Sequence, residues 1–423
     1  MSSEKLDAII FGATGFTGEL VVENAINILK GFRWGVAGRN ESKIKAVLSN
    51  IGEKVNKDLS NTTIIIADVN DKKSIELMAA KCKLLINCCG PYRIYGDVVV
   101  KACVENGTHH IDLSAEPLFI DEMFKKYNDL SQEKNAYVVS ACGFDTIAAE
   151  MGVVFVEQNF GGTVNSIDMY WENSFGSKEL SKPLFHFATW ESGVDTFNTF
   201  KKSLQLQNEI NRSIVDKLPS LKPKLWLNPF IHKTAGLSSY FLPFPQTDRA
   251  LIHRAQRLQY KLEQKRPIQF ESYVGFRSLL LALILPFHFL TIVLMSQWDW
   301  TRNLLLKCPK CFTLGIISHE GPTEAIRKAH NFQLTFKAKG WTSDELIGDK
   351  PNKEIVARVS GYDPFYGFAS VALLLCAKTI LTQNQLMLGT GGVWPACLAF
   401  EKTNLIEELQ KHENGLQFKI IKS

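Results

Sequence analysis

Short apolar runs alternate with longer amphipathic stretches through the first 150 residues of the chain. The apolar runs have the length of buried strands and lie at 6–11, 33–37, 62–67, 84–89, 111–113 and 136–141. The stretches between them have helical spacing and lie at 19–30, 41–49, 72–81, 97–105 and 118–134. Strands that alternate with helices in this way form a parallel sheet with helices on both faces. The pattern therefore predicts an α/β domain.

The pattern changes after residue 150. Apolar and polar positions alternate at 164–171, 333–338 and 355–359, which predicts strands of a second, mostly antiparallel sheet. Two further helices are predicted at 369–381 and 405–411. The long region between these strands shows no clear periodicity, so it yields no element prediction.

One apolar run, at 279–295, is unusual for a soluble enzyme because it contains no charged residue. It is shorter than the roughly 20 residues that a spanning helix needs, and Pro286 and His288 interrupt it. Trp298 and Trp300 follow it, as in the aromatic belt of a membrane interface. The flanking cations are Lys265, Arg266, Arg277, Arg302, Lys307 and Lys310.

Three structures are compatible with this run: a buried core helix, a single membrane span, or a hairpin that enters one leaflet and bends at Pro286. Cations on both flanks favour the hairpin, because both ends then stay on the same side of the membrane. The sequence therefore predicts a membrane-associating hairpin.

A glycine-rich segment joins the first predicted strand to the first predicted helix. Glycines at such a turn let the backbone approach a pyrophosphate, which the N–H groups at the start of the helix then bind. The residues expected at the dinucleotide phosphates are Gly12, Thr14, Gly15, Phe16, Thr17 and Gly18. The alternating context makes this a specific prediction of a Rossmann domain.

The second predicted strand is followed by Arg39, where an NAD site usually has a carboxylate for the ribose hydroxyls. A guanidinium can hold a 2′-phosphate through two hydrogen bonds, so the sequence favours NADP over NAD. An ordinary surface arginine is the alternative. Asp68 is expected at the adenine edge, and Asn87, Cys88 and Gly90 near the nicotinamide, because ligands bind at the carboxyl ends of the strands.

Proton donors are harder to assign. Tyr92 follows the fourth strand and is a weak candidate, although packing in a Gly-Pro-Tyr turn is favoured. Asp145 is a second weak candidate, but a cap for the helix that follows is favoured for it. Asp112 and Glu116 are equally compatible with acid catalysis and with structural roles. The catalytic residues therefore stay unassigned.

Charge and cysteine content narrow the classes of partner. The net charge is +5, and residues 201–310 contain 17 Lys or Arg against 6 Asp or Glu. This basic region suits either a solvated face or an anionic surface such as lipid headgroups, and no nucleic-acid recognition motif accompanies it. Nine cysteines include a single ligand-like pair, Cys308 and Cys311, so no metal site is predicted. A reducing compartment fits them best.

Six motifs together resemble the saccharopine dehydrogenase-like oxidoreductases, most closely their membrane- or lipid-droplet-associated animal branch. They are Gly12-Ala-Thr-Gly-Phe-Thr-Gly18, Ala37-Gly38-Arg39, Asn87-Cys-Cys-Gly-Pro-Tyr92, Ile111-Asp-Leu-Ser-Ala-Glu116, Gly143-Phe-Asp-Thr146 and Gly391-Gly-Val393. The chain is also similar to bacterial trans-acting enoyl reductases of glycolipid biosynthesis. The resemblance implies a Rossmann domain at 1–150, an α+β substrate or dimerisation domain with a mixed sheet at 151–365, and a segment at 366–423 that packs back on the first domain.

Two functions are open. The first is an NADP(H)-dependent oxidoreductase that acts on a hydrophobic or lipid-derived substrate at a lipid droplet or membrane surface. The second is a non-catalytic lipid-droplet surface or scaffold protein that retains the Rossmann fold. The resemblance implies a lipid droplet or the cytoplasmic face of a membrane, with a mitochondrion-associated location as an alternative and a homodimer as one assembly. The lack of a recognition motif argues against a nucleic-acid partner.

Overall fold

The computed structural model describes residues 4–175, 183–244 and 247–422. Its first elements are β1 (Leu6–Phe11), α1 (Phe16–Ile28), β2 (Trp34–Gly38), α2 (Glu41–Val55), β3 (Thr63–Ile66), α3 (Lys72–Ala80), β4 (Cys82–Asn87), α4 (Tyr92–Glu105), β5 (His109–Asp112), α5 (Pro117–Glu133), β6 (Tyr137–Val139) and α6 (Phe144–Phe160). The middle elements are β7 (Thr163–Phe175), β8 (Phe185–His186), α7 (Phe187–Ile214), β9 (Tyr240–Pro243), α8 (Thr247–Glu263), β10 (Gln269–Phe276), α9 (Leu279–Ser296), α10 (Asp299–Lys307), α11 (Pro309–Phe312), β11 (Ile317–Ser318), α12 (Glu324–Lys328), β12 (His330–Trp341) and β13 (Lys353–Tyr362). The last are α13 (Ala369–Gln383), β14 (Gly392–Val393), α14 (Ala396–Ala399), α15 (Leu405–Lys411) and β15 (Gln417–Lys422).

The chain forms two compact units, Met1–Phe144 with Phe365–Lys411, and Asp145–Pro364 with His412–Ser423. In the first unit a seven-stranded sheet has the order β14-β6-β5-β4-β1-β2-β3, and every pair in it is parallel. The order β3-β2-β1-β4-β5-β6 is that of a doubly wound Rossmann sheet. The predicted fold of the first domain is therefore confirmed, and its switch point lies between β1 and β4.

The segment that returns to the first unit supplies a buried helix and an edge strand. Helix α13 packs on α1, where Asn24 Nδ2 donates to Ser370 Oγ at 2.9 Å. Strand β14 pairs with β6 at the edge of the sheet. The segment that returns to the first unit ends at Lys411. The prediction that all of 366–423 packs on the first domain is therefore wrong for the residues after Lys411. Strand β15 instead pairs with β13, whose backbone groups would otherwise form an open edge.

The second unit contains a six-stranded mixed sheet of order β15-β13-β12-β7-β10-β9, as the α+β prediction requires. Strands β7 and β10 are parallel, and the remaining neighbours are antiparallel. Helices α7 and α8 lie in the region for which no element is predicted. Five of the 28 residues of α7 are buried, so its apolar stripe is too sparse to show a helical period.

The predicted hairpin at 279–295 is wrong. The run is one continuous helix with Pro286 inside it, and the chain turns after Gln297 instead. Proline removes one backbone hydrogen bond, but the bonds on either side can persist, whereas a turn at this point would leave several backbone groups unpaired in an apolar environment. The buried-core alternative is also wrong, because Leu280 and Phe287 are 63% and 71% exposed.

Two described helical segments are long and apolar enough to cross a membrane by length and composition, Leu279–Ser296 and Pro364–Leu386. They differ in burial, since 78% of the second is inside the protein and 17% of the first. The second, which includes a π-helical turn at Pro364–Phe368 and α13, is a core element of the first unit. Helix α9, by contrast, exposes most of its apolar side chains.

Candidate dinucleotide site

The β1–α1 turn has a shape that only glycine permits at two of its positions. Gly12 has a φ of +86°, and a Cβ atom there would lie 2.9 Å from the carbonyl carbon of Cys88. A Cβ atom on Gly18 would lie 2.1 Å from the Gly12 oxygen. Gly12 therefore forms the sharp turn beside β4, and Gly18 lets α1 pack against it.

Gly15 differs because the protein itself leaves room for a side chain there. A Cβ atom would meet nothing closer than the Gly12 oxygen at 3.4 Å, and the backbone is extended, with φ of −85° and ψ of 160°. Gly15 is exposed and occupies the N-cap position of α1, where no side chain caps the helix. A helix start without a side-chain cap, together with this open space, fits a phosphate group of a dinucleotide.

The other residues of the turn contribute in different ways. Thr14 is exposed and Thr17 is half-buried, so both can reach a ligand. The ring of Phe16 packs edge-on against Tyr366 at 4.9 Å between centroids. Phe16 therefore turns its ring toward Tyr366 and away from a ligand.

Arg39 and Asp68 follow the ends of β2 and β3. Arg39 is exposed, and none of the described residues forms an ion pair or hydrogen bond with its guanidinium. Asp68 uses one carboxylate oxygen, Oδ1, to accept from the N–H and Nδ2 of Asn70, at 2.9 and 3.1 Å. The guanidinium is therefore free for a ligand, and contact of Asp68 with an adenine stays a prediction.

Asn87 ends β4 and is completely buried. Its Oδ1 accepts from the Cys89 N–H at 3.0 Å, and its Nδ2 lies 3.4 Å from His110 Nε2. Burial lowers the pKa of His110 to about 3, so the imidazole is neutral. The Asn87 amide is thus used to shape the loop after β4 and does not point outward to a nicotinamide.

Cys88 and Gly90 lie in that loop. The Cys88 N–H donates to the Phe11 oxygen at 2.8 Å, which joins the loop to the end of β1. Burial raises the pKa of the Cys88 thiol, so it remains protonated. Cys88 is half-buried and Gly90 is exposed, so the loop reaches the surface beside the glycine turn.

Tyr92 begins α4 and does not present a free hydroxyl. Its Oη donates to the Asn87 oxygen at 3.0 Å and accepts from the Leu113 N–H at 3.3 Å. Burial raises the pKa of Tyr92 well above its usual value. These contacts support the packing role favoured by the sequence and give no support to proton donation.

Glu116 caps helix α4 from the next loop. Its two oxygens accept from the N–H groups of Tyr92 and Arg93, at 3.0 and 2.8 Å. Pro91 at the N-cap has no side chain that could do this. The cap explains why α4 starts at Tyr92 instead of the predicted Asp97, because the partner of its first turn comes from a distant loop.

Replacing Glu116 with glutamine is expected to lower the free energy of unfolding by about 1–2 kcal/mol, since one of the two N–H groups then faces an amide NH2. Denaturant unfolding measures this change. Glu133→Gln is the matched control, because that carboxylate is exposed and forms an ion pair with its neighbour Lys134 at 3.3 Å. Equal unfolding midpoints for the two variants would contradict a capping role.

Asp112 joins the ends of β5 and β6. Its Oδ1 accepts from the N–H groups of Ser114 and Ala141, and its Oδ2 accepts from Ser140 Oγ at 2.8 Å. Burial raises the pKa of Asp112 to about 6, although these hydrogen bonds oppose the shift. Asp112 is thus a structural hub. Polar residues at the end of β5 and directly after it, in Asp-Leu-Ser-Ala-Glu, are the sequence signal for both carboxylates.

Asp145 lies in helix α6, but its side chain is outside the described residues. Among the described residues, no group of three or more His, Cys, Asp or Glu side chains could hold a metal ion.

The parallel sheet, the uncapped α1 and the free Arg39 define a Rossmann-type protein with a dinucleotide site, and comparisons with known proteins agree. Residues 8–139 match the family model of the saccharopine dehydrogenase NADP binding domain. A human saccharopine dehydrogenase-like oxidoreductase is 32% identical over 98% of this chain and 97% of its own length. The chain therefore belongs to the saccharopine dehydrogenase-like oxidoreductase family.

Two further comparisons add detail. A lipid droplet localized protein of Caenorhabditis elegans is 31% identical over 96% of each chain. The solved saccharopine dehydrogenase of Saccharomyces cerevisiae covers 98% of this chain and 100% of its own, with a TM-score of 0.54 and 12% identity. At that identity the yeast structure supports the fold alone.

Proposed function

We propose that this protein is an NADP(H)-dependent oxidoreductase that acts on a hydrophobic or lipid-derived substrate at the surface of a lipid droplet or membrane. The observation that carries the proposal is the combination of an open glycine turn with the large exposed apolar surface of α9. When bound, the nicotinamide would give or accept a hydride, while the chain binds and orients the cofactor.

The cofactor part of the proposal depends on three features of the first unit. The N–H groups at the start of α1 would hold the pyrophosphate beside Gly15. The free guanidinium of Arg39 would hold the 2′-phosphate. The family's NADP binding domain covers both residues.

Arg39→Ala is expected to weaken NADPH binding roughly 10- to 100-fold and NADH binding far less, because a charge-assisted hydrogen bond is worth about 1.5–3 kcal/mol. Fluorescence titration of the purified protein with both nucleotides measures the two affinities. Lys43→Ala is the matched control, since it removes an exposed cation from the adjoining helix. An equal loss for NADPH and NADH would contradict the assignment of NADP.

The surface part of the proposal depends on α9 and the residues after it. Leu280 and Phe287 in α9 and Trp298 and Trp300 behind it are all more than half exposed. An apolar patch of this size usually binds a partner or a membrane. Tryptophans at the edge of the patch favour a lipid interface, where an aromatic ring can have one side in water.

Fewer of the flanking cations are available for an anionic surface than the sequence predicted. Lys265 forms an ion pair with Glu157 at 2.9 Å, and Arg266 Nη2 donates to Asn165 Oδ1 at 2.8 Å, so both serve the second unit. Arg277 is exposed and has no ion pair among the described residues.

The relative named as a lipid droplet localized protein supports a droplet as the lipid surface.

A non-catalytic scaffold is the second candidate, and one observation favours it. Tyr92, Asp112 and Glu116 all have their polar atoms in structural hydrogen bonds. Purified protein mixed with NADPH and a panel of lipid enals, enoyl thioesters and imino acids separates the two functions. Oxidation of NADPH with one substrate class is expected, whereas nucleotide binding without turnover on the whole panel would favour the scaffold.

A further inference from the structure

The segment that follows α10 contains two free cysteines with very different surroundings from the others. Cys311 is exposed and Cys308 is half-buried, while five of the remaining cysteines are buried and two lie in the loop after β4. Both belong to the run Lys307-Cys-Pro-Lys-Cys311, which ends one helix and forms the short α11. Cys311 is therefore the most accessible thiol of the nine.

This segment is attached to the exposed apolar helix. His288 Nε2, in the middle of α9, donates to the Phe312 oxygen at 2.7 Å. The Phe312 ring packs on a cluster that contains Ile292 of α9 and Leu305 of α10. Leu314, three residues after Cys311, is 73% exposed. Cys311 is therefore one residue away from a direct contact with α9, the helix whose exposed side is proposed to meet lipid.

Two cations frame the thiols. Lys307 and Lys310 are exposed, and neither forms an ion pair with a described residue. Cationic side chains next to an apolar surface approach anionic headgroups, at a depth where a neighbouring thiol can meet an acyl chain. Cysteines of this kind, beside a membrane-associating helix, are the usual acceptors of reversible S-acylation.

We propose that Cys311 is a site of S-acylation by a long-chain fatty acyl group, with Cys308 as a second acceptor. The donor is a long-chain acyl-CoA, delivered by an acyltransferase. The Cys311 sulfur loses its proton and attacks the acyl carbonyl carbon, and the bond to the CoA sulfur breaks. The CoA sulfur takes up a proton, so the products are a protein thioester and free CoA thiol. No oxidant or reductant is required.

The inference rests on the proposed lipid-surface function and adds a second anchor to it. A single apolar anchor gives reversible attachment, whereas two anchors together hold a protein stably on a lipid surface. Acylation at Cys311 would place the acyl group beside α9, so both anchors would enter the same leaflet. Hydrolysis of the thioester would return the protein to attachment through α9 alone.

The test uses the full chain expressed in cultured animal cells that are fed an alkynyl fatty acid. The expected result is a label that neutral hydroxylamine removes, that C311S reduces by more than half and that C308S/C311S abolishes. C308S alone is the matched control for loss of a neighbouring thiol and is expected to keep most of the label. Thermal unfolding of each purified variant checks that the fold is retained.

Several results would overturn the inference. An unlabelled wild-type chain would do so, as would label that survives in C308S/C311S, or mass spectra showing Cys308 and Cys311 joined as a disulfide. Fractionation of the same cells judges lipid attachment separately. Membrane-bound but unlabelled protein would refute acylation and leave the lipid-surface proposal standing. Labelled protein that still attaches after the exposed apolar side chains of α9 are replaced would support acylation and refute α9 as the lipid surface.

Discussion

Gly15→Asp is expected to reduce NADPH affinity at least about 100-fold while leaving the fold as stable as before or slightly more so. An aspartate at this N-cap position can accept a hydrogen bond from the first turn of α1, which stabilises a helix by a few tenths of a kcal/mol relative to glycine. The extended backbone and the open space at Gly15 accept the side chain without strain. Its charge, however, occupies the place of a phosphate, and two like charges about 4 Å apart repel by about 4 kcal/mol near a protein surface.

Two other variants make this result specific. Gly15→Asn has the same shape without the charge and is expected to lose less affinity. Gly18→Ala introduces a Cβ atom 2.1 Å from the Gly12 oxygen and is expected to lower stability as well as binding. Nucleotide titration and thermal unfolding of all three measure the two properties. Tight NADPH binding by a stable Gly15→Asp protein would rule out the glycine turn as the phosphate site.

Leu280→Asp/Phe287→Asp is expected to lower binding to lipid droplets or vesicles about 100-fold or more. Burial of one large apolar side chain contributes about 1.5–3 kcal/mol, and both side chains now face solvent. Because neither is part of the core, the double variant should unfold at the temperature of the wild type. Flotation with triacylglycerol emulsions and with vesicles that contain anionic lipid measures the partition.

Leu77→Asp/Leu386→Asp is the matched control, because these leucines are 52% and 46% exposed in the first unit. The control is expected to bind lipid like the wild type. If the α9 variant binds lipid equally well, α9 is not the attachment surface. If it forms dimers or larger species less readily than the wild type, the apolar face serves contact between copies of the chain.

Local sequence signals were sufficient to predict the structure where residues close in sequence determine it. The glycine turn, the alternating elements and Asn40, whose Oδ1 accepts from the Lys43 N–H at 2.9 Å to cap α2, depend on residues within a few positions. Arg39 could be placed at the end of β2 for the same reason. Predictions failed where a distant residue is the partner. Glu116 extends α4 by a turn, and strand β15 joins the second unit through its pairing with β13.

The sequence by itself determined the Rossmann fold, the position of the glycine turn and the family, because strand-helix alternation and glycine spacing are local patterns of the chain. Only the tertiary structure decided which polar groups are free. It buried Tyr92, Asp112 and Glu116 in hydrogen bonds and left Gly15 open. It also decided that the apolar run at 279–295 is an exposed helix, since hydrophobicity alone gives the same pattern to a core helix and to a surface that meets lipid.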